Sequence, residues 1–316
     1  MNETDSTPKS KAGEVWQLIK ITFWEWWNDD TFRLAASLTF YTIFSIAPVL
    51  LIVVGVASLF YARETAIDRI VSEIQQLVGE RGAKAVRDVL EASSGFGKSV
   101  WAILTGVVTF LLGASAVFAE LQSALNKIWD VQAEPRRGVI LQYALDRLRS
   151  FTIALGVGFL LLVSLVISAA ISALQGYMEG QIPGMPAFWQ AVNIVVLFLV
   201  AAALFAMIYK FLPDVRIRWK DVWIGAAVSA ALFTGGKYVI GVYLGQTATA
   251  STFGAAGSLA VLLIWFYYSA LISFLGAEFT QVYARRHGVP IEPKTHAVRT
   301  GKKPDDIVSE STDDSQ

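Results

Sequence analysis

The chain of 316 residues contains no cysteine. That excludes a disulfide framework, a thiolate metal site and a cysteine nucleophile together. Histidine is almost as scarce: His287 and His296 are the two, both in or beside a polar tail, and no His/Asp cluster with metal-ligand spacing occurs. Charge is thin as well, at 16% of residues where a soluble domain carries about 25%. The 26 basic side chains are balanced by 26 acidic ones, so there is no global positive field to draw in nucleic acid, which is excluded as a partner. A P-loop is also missing, since Gly95-Phe96-Gly97-Lys98-Ser99 lacks the GxxxxGK[ST] spacing. ATP-driven pumping by this chain alone is therefore disfavoured, and no metal or other cofactor is expected. The first 30 residues lack the apolar core and small-residue cleavage site of a signal peptide, so insertion is expected to use internal helices.

What the chain does have is apolar length, with 54% hydrophobic residues. A mostly apolar stretch of 18 or more residues can cross a hydrocarbon core about 30 Å thick, and six stretches qualify. They run over 35–60, 100–119, 150–174, 187–209, 222–244 and 257–281. Their continuous character excludes a transmembrane barrel, which would show segments of about ten residues alternating in polarity. Helices satisfy their own backbone groups in lipid. The expected fold is all-α: a polytopic membrane protein with six transmembrane helices plus interfacial amphipathic helices over 14–286, and disordered tails at 1–13 and 287–316.

Two amphipathic patterns lie outside these spans. Trp16, Ile19, Phe23, Trp26 and Trp27 fall on one helical stripe, as expected of a helix at headgroup level with Lys20 at its edge. Between the first two spans, Ile67, Ile70, Val71, Ile74, Leu77 and Val78 repeat at helical spacing. A break at Gly79–Gly82 and a second short helix through Val86, Val89 and Leu90 should complete an extramembrane cap over 62–94.

Basic residues near span ends are retained in the cytoplasm. Lys127, Arg136, Arg137, Arg147 and Arg149 mark one inner loop, and Lys210, Arg216, Arg218 and Lys220 another. The segments 175–186 and 245–254 carry no basic residue and belong outside. Arg285 and Arg286 place the C-terminus inside, and an even number of spans places the N-terminus there too. The segment 61–99 dissents with six basic residues, although six acidic ones accompany them.

Particular runs then carry a family likeness. DDTFRLAASLTFYTIFSIAP at 29–48, LNKIWDV at 125–131, RLRSF at 147–151 and FLPDVRIRWKDVWIGAAVSAALFTGGKYVIGVYLG at 211–245 resemble the YihY/BrkB family of bacterial inner-membrane proteins. STFGAAGSLAVLLIWFYYSALISFLGAEFTQVYARR at 251–286 is similar to that family's most recognisable segment. A small departure is Thr39-Phe40, where members often carry Ala-Tyr. The resemblance covers about Phe23 to Arg286 and implies six transmembrane helices in the bacterial cytoplasmic membrane. Some members carry a ribonuclease BN label, which the residues here do not support. Others are linked by name to serum resistance and virulence, in keeping with a role in envelope composition or export.

Ionisable residues within a membrane are costly and so are functional candidates. Lys237 falls in the outer half of span five, and Glu278 near the inner end of span six. Arg33 and Glu120, at the inner ends of spans one and two, could cluster with Glu278. Asn193, Asn126, Gln122, Tyr238, Tyr243, Tyr267 and Tyr268 could add hydrogen-bonding groups to a polar pathway. The structural alternative is that Lys237 snorkels outward and the carboxylates mark helix ends. Pro48 should kink span one. Gly241 and Gly245 form a GxxxG followed by Gly254 and Gly257, a pattern for close helix packing.

The leading expectation is a non-enzymatic transporter or exporter of an amphiphilic or charged small molecule or an envelope lipid. Its expected partners are membrane lipids, that substrate and a second copy of the chain. The rival is a scaffold or envelope-integrity factor that recruits partners through the stripe from Ile67 to Val78. An intramembrane hydrolase ranks last, because no nucleophile, base and orienter assemble from the sequence.

Overall fold

The computed structural model describes residues 11–58, 62–92, 100–133, 186–246, 254–287, 292–294 and 297–300. Its helices are α1 (Lys11–Asn28), α2 (Thr31–Ala57), α3 (Arg63–Ala92), α4 (Val100–Ile128), α5 (Pro186–Phe211), α6 (Trp219–Gln246) and α7 (Gly254–Arg286). Four short strands accompany them: β1 (Val131–Ala133), β2 (Val215–Arg216), β3 (Glu292–Pro293) and β4 (Ala297–Arg299). Among the described residues, Ile194–Phe211 and Leu259–Arg286 are long and apolar enough to cross a membrane. The span expected over 150–174 lies outside the described residues.

Helix ends follow local chemistry. Pro186 opens α5 at the one helical position where its missing N–H costs nothing. Between α1 and α2 the chain reverses through Asp30, which adopts φ 57°, a left-handed conformation that Asp tolerates better than most residues. The Thr31 hydroxyl donates back to the Trp26 carbonyl, satisfying an acceptor at the end of α1. Asp130, with φ 52°, performs the same reversal after α4.

The helix α7 is the axis of the bundle. It packs against α1, α2, α3, α4 and α6, while α2 pairs with α4 and α5 with α6. Two apolar clusters divide its length. Near its N-terminal half, Val261, Leu262 and Trp265 meet Leu50 and Val54 of α2 and Val71, Val86 and Leu90 of α3. Near its C-terminal half, Phe274 and Ala277 meet Ala35, Leu125, Ile128, Tyr209, Val222 and Ala226. The second cluster closes what we term the polar end, where α4 and α5 terminate and α2 and α6 begin. Since α5 runs down to this end, it starts at the other. Thus α4 ends and α5 begins at opposite ends of the bundle.

The cap helix is folded on itself. Arg87 and Asp68 form an ion pair of 2.7 Å although they are 19 residues apart, and a straight helix would hold them roughly 28 Å apart. The chain therefore bends back between them, while helix α3 runs without interruption through 79–82, where a break was expected. Ile67, Ile70 and Ile74 are partly buried against the first cluster, so the stripe proposed for partner recruitment is largely taken up by the protein's own spans.

Two other expectations need correction. Trp26 does not share the exposed stripe of Trp16, Ile19, Phe23 and Trp27; it is buried. It sits edge-on to Phe32, with ring centroids 4.6 Å apart, and its indole donates to the Leu271 carbonyl at 3.3 Å. An indole N–H needs such a partner when buried, and this contact ties α1 to α7. The tail after 286 is not disordered throughout. Val131–Ala133 pairs antiparallel with Ala297–Arg299, and Val215–Arg216 with Glu292–Pro293. The sequence there is polar and rich in Pro and Lys, but its short extended segments find the unpaired backbone of two loops, which composition alone does not reveal.

Candidate functional site

The polar end concentrates buried polar groups on three adjoining surfaces. The first is the α6–α7 seam. The Tyr209 hydroxyl of α5 donates to the Ser273 carbonyl of α7 at 2.7 Å and lies 2.8 Å from Ser229 Oγ of α6. Neither partner could approach so closely without glycine. A Cβ at Gly276 would overlap Ser229 Oγ and stand 2.6 Å from Tyr209 Oη, and one at Gly225 would stand 2.8 Å from Thr280 Cβ. Higher up, a Cβ at Gly236 would collide with the Tyr268 ring. The hydroxyls of Ser229 and Thr280 also donate to carbonyls one turn earlier, at 2.9 and 2.7 Å.

The second surface is a clasp between α4 and the α5–α6 loop. Asn126 Nδ2 donates to the Asp214 carboxylate at 2.8 Å, and Asn126 Oδ1 accepts the Asp214 N–H at 2.8 Å. Gln122 adds a donor to the same carboxylate at 3.2 Å. Lys294 then binds the loop from below, donating through Nζ to the Pro213 carbonyl at 2.7 Å and through its backbone N–H to the Asp214 carbonyl at 2.8 Å.

The third surface, where α1, the end of α4 and α7 meet, is different. Glu278 on α7 is fully buried, at 0% exposure, and no hydrogen-bond donor reaches either carboxyl oxygen. The groups that act on it are the Asp29 carboxyl, which lies within hydrogen-bonding reach, the Glu25 carboxyl and, opposing them, the Arg285 guanidinium. Arg285 is committed to Glu25 through a forked contact. Burial pushes the Glu25 carboxyl above its ordinary range, and Arg285 pulls it only part of the way back. Asp130 presses on Glu25 as well and takes a long bond of 3.5 Å from Gln281. Beside it the indole N–H of Trp129, 1% exposed, has no acceptor.

Native proteins leave few buried polar atoms unsatisfied, and each exception needs a reason. Here three such atoms, two on Glu278 and one on Trp129, belong to the elements that form one junction. At its rim, Asp30 is exposed and bonded by Lys127 at 3.0 Å and Arg33 at 3.1 Å, and Lys127 holds its carboxyl below the usual range.

The expected cluster of Arg33, Glu120 and Glu278 is not formed. Arg33 points to Asp30 in solvent, Glu120 is half-buried on α4, and Glu278 faces Asp29 and Glu25 instead. Asn126 is engaged with Asp214 rather than with a pathway. Lys237 and Asn193 occupy positions in α6 and α5, and Pro48, Gly241, Gly245, Gly254 and Gly257 lie within α2, α6 and α7; their surroundings fall outside the described residues. Sequence reading missed Glu25, Asp29, Asp130 and Gln281. Glu25 and Asp29 were visible as acidic residues at the end of an aromatic helix, but their link to Glu278 spans the whole chain.

A family model described as virulence factor BrkB matches residues 22–300. This range takes in α7, β3 and β4 along with nearly all of the junction. Among curated proteins, the chain is 29% identical over 269 residues to a UPF0761 membrane protein of Albidiferax ferrireducens, covering 83% of this chain and 61% of that one. A UPF0761 membrane protein of Rhodospirillum centenum is 28% identical over 258 residues, with coverage of 80% and 54%. One from Tolumonas auensis is 26% identical over 264 residues, with coverage of 80% and 81%. Against the first relatives it matches, the chain spans roughly half to three-fifths of their length. No solved structure matches.

Proposed function

The chain belongs to the virulence factor BrkB family, whose curated relatives here are named membrane proteins, and on that premise we propose that it is a non-enzymatic transporter or exporter. Its cargo is an amphiphilic or charged small molecule or an envelope lipid. The observation that carries this reading is Glu278. A carboxyl with no donor inside a helix bundle costs several kcal/mol in order of magnitude, and packing alone gives no reason to keep it. Intramembrane ionisable groups of this kind mark substrate and ion pathways.

The arrangement in the membrane follows from the same elements. Six spans, with both termini in the cytoplasm of a bacterial inner membrane, accord with the opposite ends at which α4 stops and α5 starts. The 33 residues of α7 rise about 50 Å, well beyond a hydrocarbon core of about 30 Å. Glu278 lies roughly 36 Å along that rise, so the junction sits at the inner interface, open to exchange with the cytoplasm. The exposed Trp16, Phe23, Trp24 and Trp27 of α1 then rest at headgroup level, where amphipathic rings accumulate. Membrane lipids are the immediate partners, and a second copy of the chain is a further one.

A scaffold role is less favoured, because the apolar stripe of the cap is covered by α2 and α7. The α6–α7 seam, closed through Gly225 and Gly276, forms a wall, so the pathway runs on the α1 and α4 side of α7. The test is translocation of fluorescent phospholipids and small amphiphilic dyes in vesicles reconstituted with the full chain. Glu278→Gln should reduce translocation to the level of protein-free vesicles while leaving insertion intact. Equal rates in wild type and variant would overturn the assigned path.

A further inference from the structure

The junction deepens the transport reading, on which it rests, by indicating what the pathway is coupled to. A carboxylate is an acceptor only, and a protonated carboxyl gains one donor. Two carboxyls that face each other in a buried site, with no N–H or O–H directed at one of them, are satisfied in a single way: one carries a proton and donates it to the other. Glu278 and Asp29 meet this description. Glu278 is fully buried, its oxygens receive no donor, and the group within hydrogen-bonding reach is the Asp29 carboxyl. We propose that Glu278 and Asp29 form a proton-binding site, one proton bridging Glu278 Oε and Asp29 Oδ, and that this proton is the coupling ion of the transporter.

The charged groups named around Glu278 are engaged elsewhere. From α1, Glu25 adds negative charge and is already held by Arg285 of α7. From the α1–α2 link, Asp30 is bound by Lys127 of α4 and Arg33 of α2. Beyond α4, Asp130 faces Glu25 and Gln281, while Glu120 is half-buried farther up that helix. From α6, Asp221 is paired with Arg218 at 3.0 Å. No cation among these is directed at Glu278 itself, so its charge is balanced by a proton. Loss of that proton to water would leave two facing carboxylates. Their repulsion acts across the contact of α7 with the chain between α1 and α2, which gives the proton a mechanical consequence: its departure loosens α1 from α7.

Infrared spectra of the full-length protein in lipid nanodiscs at pH 7 test this without any substrate. A protonated-carboxyl C=O band, shifted by deuterium exchange, should be present in wild type. It should be lost in Glu278→Gln and in Asp29→Asn, each of which supplies an amide donor in place of the proton. Glu91→Gln, on the exposed face of α3, should retain it. A band absent from wild type, or retained in both junction variants, overturns the proposal. A band that appears only when sodium is replaced by choline means that a metal cation occupies the site, and also overturns it. The two readings separate cleanly. Loss of the band in both variants with no translocation by wild type keeps the proton site and removes transport, whereas translocation without the band does the reverse.

Discussion

The α6–α7 seam and the α1–α7 junction are built on opposite faces of the same helix, Gly276 and Thr280 lying two residues to either side of Glu278, and obey opposite rules. At the seam glycine brings backbones together and the hydroxyls of Tyr209, Ser229 and Thr280 all find partners. At the junction three buried polar atoms have none. Closeness of packing cannot explain the difference, because Glu278 and its seam neighbours Gly276, Ala277 and Thr280 are all buried. The seam is an element of stability; the junction gives up stability and must return it as activity.

The comparison breaks most severely at Gly276. Gly276→Val forces α6 and α7 apart against Ser229 and Tyr209, and overpacking of this kind costs about 3 kcal/mol. Denaturant unfolding in mixed micelles should show that loss, together with poor accumulation in the membrane. A milder break is Asn126→Ala, which strips a donor from the Asp214 carboxylate and leaves the Asp214 N–H without its acceptor. A loss of about 2 kcal/mol is expected by the same measurement.

Arg285→Gln sharpens the contrast through pH. The Glu25 carboxyl sits above its ordinary range in the folded protein. Its protonation therefore supports folding at acid pH, and that support is lost as pH rises through the folded value. Removing Arg285 takes away the main group that lowers this value, so the variant should lose more stability near pH 7 than near pH 5. A constant difference across that range would mean that Arg285 acts by packing alone. The smallest effect belongs to Asp30→Asn. The Asp30 carboxyl is held low by Lys127, so its contribution is present above the usual carboxylate range and disappears as pH falls. Exposure and salt screen it, and Asn also tolerates the left-handed backbone there; thermal unfolding at high salt should barely distinguish the variant.

Much of the fold was legible because long apolar runs admit few alternatives in water or lipid. The helices α2, α4, α5, α6 and α7 lie over five of the six apolar runs, two of them being long and apolar enough to cross a membrane among the described residues, and the amphipathic α1 lies where the Trp stripe placed it. The strands were not legible. Glu292–Pro293 and Ala297–Arg299 have no alternation to read, and their order comes from backbone partners more than 75 residues away in the chain. Glycine function was read at Gly241 and Gly245 from a spacing motif, and their surroundings lie outside the described residues; Gly225 and Gly276, on different helices, form a close contact that the motif does not mark. No pattern within one helix can register such a pair. The site was half legible. Glu278 stood out as an acid in an apolar helix, but its neighbours were sought by depth, which suggested Arg33 and Glu120. The real neighbours are set by α1 folding back along α7, a path fixed by Trp26 and the Glu25–Arg285 contact rather than by depth.

The central claim is that Glu278 is kept at the expense of stability, and the direct measurement is the unfolding free energy of wild type and Glu278→Gln in the same micelles at pH 7.5. An amide of nearly the same shape brings its own donor to Asp29, so the variant should be at least as stable as wild type. If Glu278→Gln instead unfolds several kcal/mol more easily, on the scale of breaking a fully bonded buried ion pair, the carboxyl is a structural anchor and the account fails.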